Sequence, residues 1–133
     1  MSMFLRRFFM ELQREKVVVN QYHLDARSKK YEKENGIPKT KLRVNFKVLN
    51  QDEANDSSEI LSYLTFTIVL QSFVISGTIS QKSTVYLSSV ATPEEFPDED
   101  RRQLAEPLLD TLRRMTYEVT EIAFDAPGIE LEF

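Results

Sequence analysis

The chain alternates between two hydrophobic rhythms, a period of two over its first eighty residues and a period near 3.6 over residues 101 to 123. In the second rhythm, RRQLAEPLLDTLRRMTYEVTEIA, apolar residues fall at Leu104, Leu108, Leu112, Met115, Val119 and Ile122. That spacing predicts one buried face of a long amphipathic helix, with Leu109, Thr116 and Ala123 widening the stripe and Arg101, Glu106, Asp110, Arg114 and Glu118 in water. Pro107 cannot donate an amide, so the helix either kinks there or begins near Glu106 after a lead-in turn.

The period-two segments predict the surface on which this helix lies. Residues 16 to 26, KVVVNQYHLDA, read as a first strand, with Val18, Tyr22, Leu24 and Ala26 on one face and Val17, Val19, Gln21, His23 and Asp25 on the other. Residues 27 to 39 are polar, end in Asn35-Gly36 and Ile37-Pro38, and predict a long basic loop. Leu42, Val44, Phe46 and Val48 then alternate with Lys41, Arg43, Asn45 and Lys47, the pattern of an antiparallel strand covered on one side. From Ile60 a further alternation carries Leu64, Phe66, Ile68 and Leu70.

After Leu70 the apolar parity changes to odd positions, Phe73, Ile75 and Ile79. A β-bulge or sharp bend at Gln71-Ser72 returns these residues to the core; without one they project as an apolar patch that marks a subunit or ligand surface. Residues 83 to 90 predict a fourth strand or a crossover, Thr92 to Glu95 a capped helical turn, and IELEF at 129 to 133 a short terminal strand. The expected architecture is α+β: an antiparallel sheet of about four strands with a long C-terminal helix on one face, in a single domain over residues 1 to 133.

Composition narrows the function classes. With 41% hydrophobic and 29% charged residues the chain is of ordinary globular type, and without cysteine it has no disulfide or thiolate chemistry. The net charge of −4 conceals a division: twelve Lys or Arg against five acids up to residue 47, and five against sixteen afterwards. The two excesses can complement one another, within a chain or between subunits, at least as readily as they can attract nucleic acid, and the plainer reading is a scatter of solvated charges. The apolar start, MSMFLRRFFMEL, runs into Glu11, Arg14, Glu15 and Lys16 before a signal-peptide core forms, so the expectation is a cytoplasmic chain without membrane association. Met10 is a plausible start, which makes residues 1 to 9 an N-terminal extension.

No catalytic, metal or cofactor motif emerges. His23 is the single histidine and the three glycines are dispersed, which excludes a His-based triad and a phosphate-cradling loop. Carboxylate pairs such as Glu118 with Glu121, or Asp98 with Asp100, are common on solvated helix faces. The basic stretch Arg27, Lys29, Lys30, Tyr31, Lys33 and Lys39 is interrupted by Glu32 and Glu34, and no nucleic-acid partner is expected.

The segment VNQYHLDA and the tail MTYEVTEIAFDAPGIELEF resemble a small uncharacterised family from Gram-positive bacteria, a domain of unknown function related in fold to the export chaperone SecB. The stretches Leu42 to Leu49, Tyr63 to Ile79, and Leu104 through Pro107 to Phe124 are similar to SecB's second strand, third strand and main helix. The resemblance implies an antiparallel sheet with the helix on one face and pairing of subunits through both. Two departures stand out: the chain ends at Phe133 where SecB adds a further helix, and Gln71, Ser72 and Phe73 lie near the place of SecB's glycine pair. The expected function is non-enzymatic binding of extended or unfolded polypeptides by a homo-oligomer, through a surface formed by Phe73, Val74, Ile75, Ile79 and Tyr86. The rival is a structural or adaptor oligomer without a free groove.

Overall fold

The computed structural model describes residues 11–86 and 96–133. In chain order the elements are β1 (Glu11–Arg14), β2 (Val18–Ala26), α1 (Lys29–Asn35), β3 (Lys41–Asp52), β4 (Ser57–Val69), β5 (Phe73–Tyr86) and α2 (Asp98–Phe124). All strand pairings are antiparallel: β3 pairs β4, β4 pairs β5, and β5 pairs both β1 and β2 along its other edge. The fold is α+β, with α2 lying over β4 and β5.

The parity change after Leu70 is a chain reversal. β4 pairs β5 with Val69 opposite Val74 and Ile68 opposite Ile75, and the turn between them is closed by the Leu70 amide donating to the Phe73 carbonyl at 2.9 Å. Even positions of β4 therefore share a face with odd positions of β5. A bulge does occur, but in β2: the register slips at Asn20, between Val19 opposite Ile79 and Gln21 opposite Thr78. That extra residue lets Val17 and Val19 on one side of it, and Tyr22 and Leu24 on the other, all pack against the core. Val18, expected with Tyr22, is half exposed instead.

Opposite this bulge Gly77 faces Tyr22 on β2 and Phe66 on β4, whose rings close over it with centroids 5.9 Å apart. A Cβ there would lie 2.0 Å from the Gln21 carbonyl oxygen and 2.9 Å from the Phe66 ring. Only glycine fits such an approach of backbone to backbone.

The core has two parts. One joins Leu64, Phe66, Ile68, Phe73, Ile75 and Ile79 to Leu108 and Leu112; the other joins Ile60 and Val85 to Phe96 and Leu104. α2 runs unbroken through Pro107. The Gln103 carbonyl, which an amide at 107 would ordinarily take, accepts instead from Arg14 Nη2 at 3.0 Å. Asp98, Glu99 and Asp100 place negative charge at the positive end of the helix dipole.

Beyond Leu112 the buried face departs from the apolar stripe. Thr116 is buried, as its place beside the stripe predicts, and Thr120 is buried too, whereas Ile122 is 80% exposed, Ala123 is exposed, and Met115 and Val119 are half-buried. The threonines are buried because their hydroxyls are satisfied: Thr116 Oγ1 accepts from Tyr22 at 3.0 Å, and Thr120 Oγ1 donates to the Thr116 carbonyl at 2.7 Å and accepts from the Ile129 amide at 2.9 Å. Burial accordingly raises the Tyr22 phenol, with the Thr116 bond opposing.

The last residues form no strand. Asp125 turns left-handed at φ 48°, and the chain folds back along α2 with Ile129 and Leu131 on the core. Arg113 lies over the Phe133 ring at 4.7 Å and donates to its carbonyl at 3.1 Å. The stretch expected as a long basic loop contains α1, capped by Ser28 accepting from the Tyr31 amide at 3.2 Å. β5 continues through residues 83 to 86; the expectations for residues 1–9 and for the capped turn at Thr92 to Glu95 lie outside the described residues.

Candidate functional site

The five residues singled out in the sequence do not form one surface. Phe73 meets Phe124 at the end of α2, with ring centroids 4.8 Å apart, and Ile75 and Ile79 are wholly buried in the core of the same chain. Their odd positions are internal because β5 is a return strand. Val74 sits half-buried on the opposite face, across from Val69 and Asp25. Tyr86, at the far end of β5, is 37% exposed and donates to Gln13 Oε1 at 2.8 Å. Val74 and Tyr86 are twelve residue steps apart along the strand, roughly 40 Å at ~3.3 Å per step.

An open apolar row lies instead on β3. Its inward positions Leu42, Val44, Phe46 and Val48 point to the same side as the core, but α2 covers β4 and β5 and leaves β3 at the margin. Leu42 is 38% exposed, and Val44, Phe46 and Val48 are half-buried. Between this row and the first half of α2 runs a groove of about 510 Å³, with Val44, Phe46 and Ala105 along it and Asp98, Arg101 and Arg102 at its rim. Arg101 is tied to Asp98, and Arg102 lies 3.9 Å from Glu99.

Among the described residues β3 pairs only with β4, so its other edge presents unmatched backbone amides and carbonyls. A register slip at Leu49 ends the regular part of that edge at Val48. The groove, lined by Asn45 and the charged rim as well as by Val44, Phe46 and Ala105, therefore lies beside main-chain donors and acceptors that have no strand partner among the described residues. That combination accommodates an extended polypeptide, whose own main chain needs partners wherever it leaves water.

A second uncovered surface is the far half of α2, where Thr111, Met115, Val119 and Ile122 form a strip flanked by Arg114 and Glu118. Neither Arg114 nor Glu118 has an ion-pair partner among the described residues.

Some charged groups fasten elements of the fold. Arg27 holds Glu32 by two hydrogen bonds, of 3.2 and 2.5 Å, and also donates to the carbonyls of Leu70 and Gln71, fixing α1 to the β4–β5 turn. The guanidinium keeps the Glu32 carboxyl below the usual range. Asp52 is likewise lowered by hydrogen bonds from Asn55 in the β3–β4 turn. Asp100 is raised by burial and by the charge of Glu99. Among the described residues no group of three or more His, Cys, Asp or Glu is placed to hold a metal ion. His23 stands alone on the outer face opposite Ser76.

The DUF1149 profile, described as a protein of unknown function, matches residues 10–133, nearly the whole chain. The chain belongs to the DUF1149 family. A crystal structure of a protein of unknown function from Streptococcus agalactiae is 49% identical to it, with a TM-score of 0.90 over 93% of this chain and 98% of that one. A SecB-like chaperone from Mycobacterium tuberculosis, solved in complex with a ChAD peptide from the HigA1 antitoxin, is 13% identical, with a TM-score of 0.42 over 92% of this chain and 90% of that one. No curated protein matches the DUF1149 chain. No described helix is long and apolar enough to cross a membrane.

The β3 row of this DUF1149 chain was visible in the sequence as the alternation from Leu42 to Val48, where it reads as a covered face. What the alternation lacks is the width of the cover. One helix shields about two strands, since helices pack ~8–10 Å apart and strands ~4.8 Å apart. A sheet four strands wide, since β1 and β2 share one edge of β5, therefore leaves a margin under one helix.

Proposed function

We propose that this DUF1149 protein is a cytoplasmic, non-enzymatic binder of extended polypeptide segments, and that the groove between β3 and α2 is where they lie. The observation that carries this reading is the half-covered row Leu42, Val44 and Phe46 beside a sheet edge that has no strand partner among the described residues. Each apolar side chain lodged from a partner gains ~1.5–3 kcal/mol before costs. About three of them offset the loss of freedom on association only partly, which suits weak, exchanging attachment and not permanent assembly. Backbone pairing adds affinity with little demand on sequence.

The test is aggregation of an unfolded client followed by light scattering. Stoichiometric excess of the protein suppresses it, and Phe46→Glu, placed in the groove, abolishes the suppression while the thermal transition persists. No suppression by the wild-type chain discards the reading.

The strip Met115, Val119 and Ile122 favours a second role beside the first, pairing of subunits through α2. In an antiparallel pairing of two copies, Arg114 of each comes near the acidic Glu118 of the other, which makes the strip self-complementary. If pairing also covers β3, the protein is the structural or adaptor oligomer without a free groove.

A further inference from the structure

The two faces of β3 differ in a way that specifies its partner. Outward from the row of Leu42, Val44 and Phe46 stand Lys41, Arg43 and Lys47, all exposed, at every second residue apart from Asn45. None of the three has an acidic partner within the described residues, although acids outnumber bases in the chain as a whole. Their cross-strand neighbours Thr67, Thr65 and Leu61 are uncharged. A line of cations without acidic partners among the described residues thus runs along an edge whose other face is apolar.

We propose that β3 accepts, as an added strand, an extended segment in which acidic and apolar residues alternate. This deepens the polypeptide-binding reading above and rests on it. A strand laid on an edge continues the pleat, so its side chains also alternate between faces. The apolar set enters the groove beside Val44, Phe46 and Ala105, and the acidic set falls opposite Lys41, Arg43 and Lys47. Opposite charges directly across a strand pair are favourable and like charges unfavourable. The same cations oppose pairing of one β3 with another β3, and so guard the edge against self-aggregation while leaving it open to acidic partners. The regular edge ends at the Leu49 slip, which sets the length of the segment at about eight residues, roughly 26 Å at ~3.3 Å each.

Fluorescence anisotropy with labelled eight-residue peptides tests this, using alternating Glu-Val and alternating Lys-Val probes and, in parallel, a permanently unfolded polypeptide. The wild-type protein binds the Glu-Val probe about tenfold more tightly than the Lys-Val probe, since three cross-strand pairs change from attractive to repulsive, and the difference shrinks as salt is raised. The triple variant K41E/R43E/K47E inverts the preference, and K41Q/R43Q/K47Q abolishes it. Binding of the unfolded polypeptide with equal affinity for the two probes overturns the acidic-strand proposal and leaves the groove reading standing. Failure of all three ligands to bind overturns both.

Discussion

Arg14 and Gln103 are joined by a hydrogen bond that exists because a third residue is proline: the guanidinium donates at 3.0 Å to the carbonyl that position 107 cannot serve. The bond ties the first strand to the helix across 89 residues of sequence. Arg14→Ala removes it at a cost of about 1 kcal/mol. Pro107→Ala restores the helical amide and raises stability by ~1–3 kcal/mol, because an interior proline is the least favourable helix residue. In the Pro107→Ala background the Arg14→Ala cost falls, and a double-mutant cycle by urea unfolding measures the coupling.

The two close-packed glycines differ in what they hold. A Cβ at Gly77 meets the Gln21 backbone in the middle of the sheet, so Gly77→Ala costs about 3 kcal/mol in global stability, as overpacking of a core does at its upper range. A Cβ at Gly128 lies 2.4 Å from the Tyr117 carbonyl oxygen, at the start of the returning tail. Gly128→Ala therefore lifts the tail and leaves the sheet intact. Hydrogen exchange at the Ile129 amide, which donates to Thr120, accelerates in that variant while amides of β4 and β5 keep their protection.

Acid weakens the link between α1 and the β4–β5 turn. Arg27 lowers the Glu32 carboxyl below its unfolded value, so the stabilisation is present above the unfolded pKa and is lost as pH falls through the lower folded one. Glu32→Gln melts below the wild type at pH 7, and the gap between the two melting temperatures closes on acidification below about pH 4, the ordinary carboxylate range.

Ile122→Asp separates the two uncovered surfaces. The side chain is 80% exposed, so the subunit loses little stability, within ~0.5 kcal/mol for an exposed position. Pairing through the α2 strip is disrupted by a charge at its end. Light scattering coupled to gel filtration gives a dimer or larger species for the wild type and a monomer for the variant.

Much of this fold is legible in the chain because its signals are local. The alternation from Leu42 to Val48 and from Ile60 to Leu70, and the i, i+4 run of Leu104, Leu108 and Leu112, each fix a face without reference to anything distant. The failures come from pairs remote in sequence. A turn and a bulge both invert parity, so the change after Leu70 does not say which is present; the answer lies in the Val69–Val74 pairing. Thr116 is legible at the margin of the stripe, but Thr120 reads as polar; the tail satisfies it, and the two threonines make the buried face in place of Val119 and Ile122. The exposed apolar surface expected at Phe73, Ile75 and Ile79 is absent for the same reason: these residues are apolar because they are core, and the open row on β3 is identified only by where α2 stops.

The most direct test of the groove is amide chemical-shift mapping of the labelled protein while an unfolded polypeptide is added. The account predicts perturbations at Leu42, Val44, Phe46 and Ala105, on both sides of the groove, with the buried Ile75 and Ile79 unmoved. Shifts confined to Met115, Val119 and Ile122, or none at saturating polypeptide, contradict it.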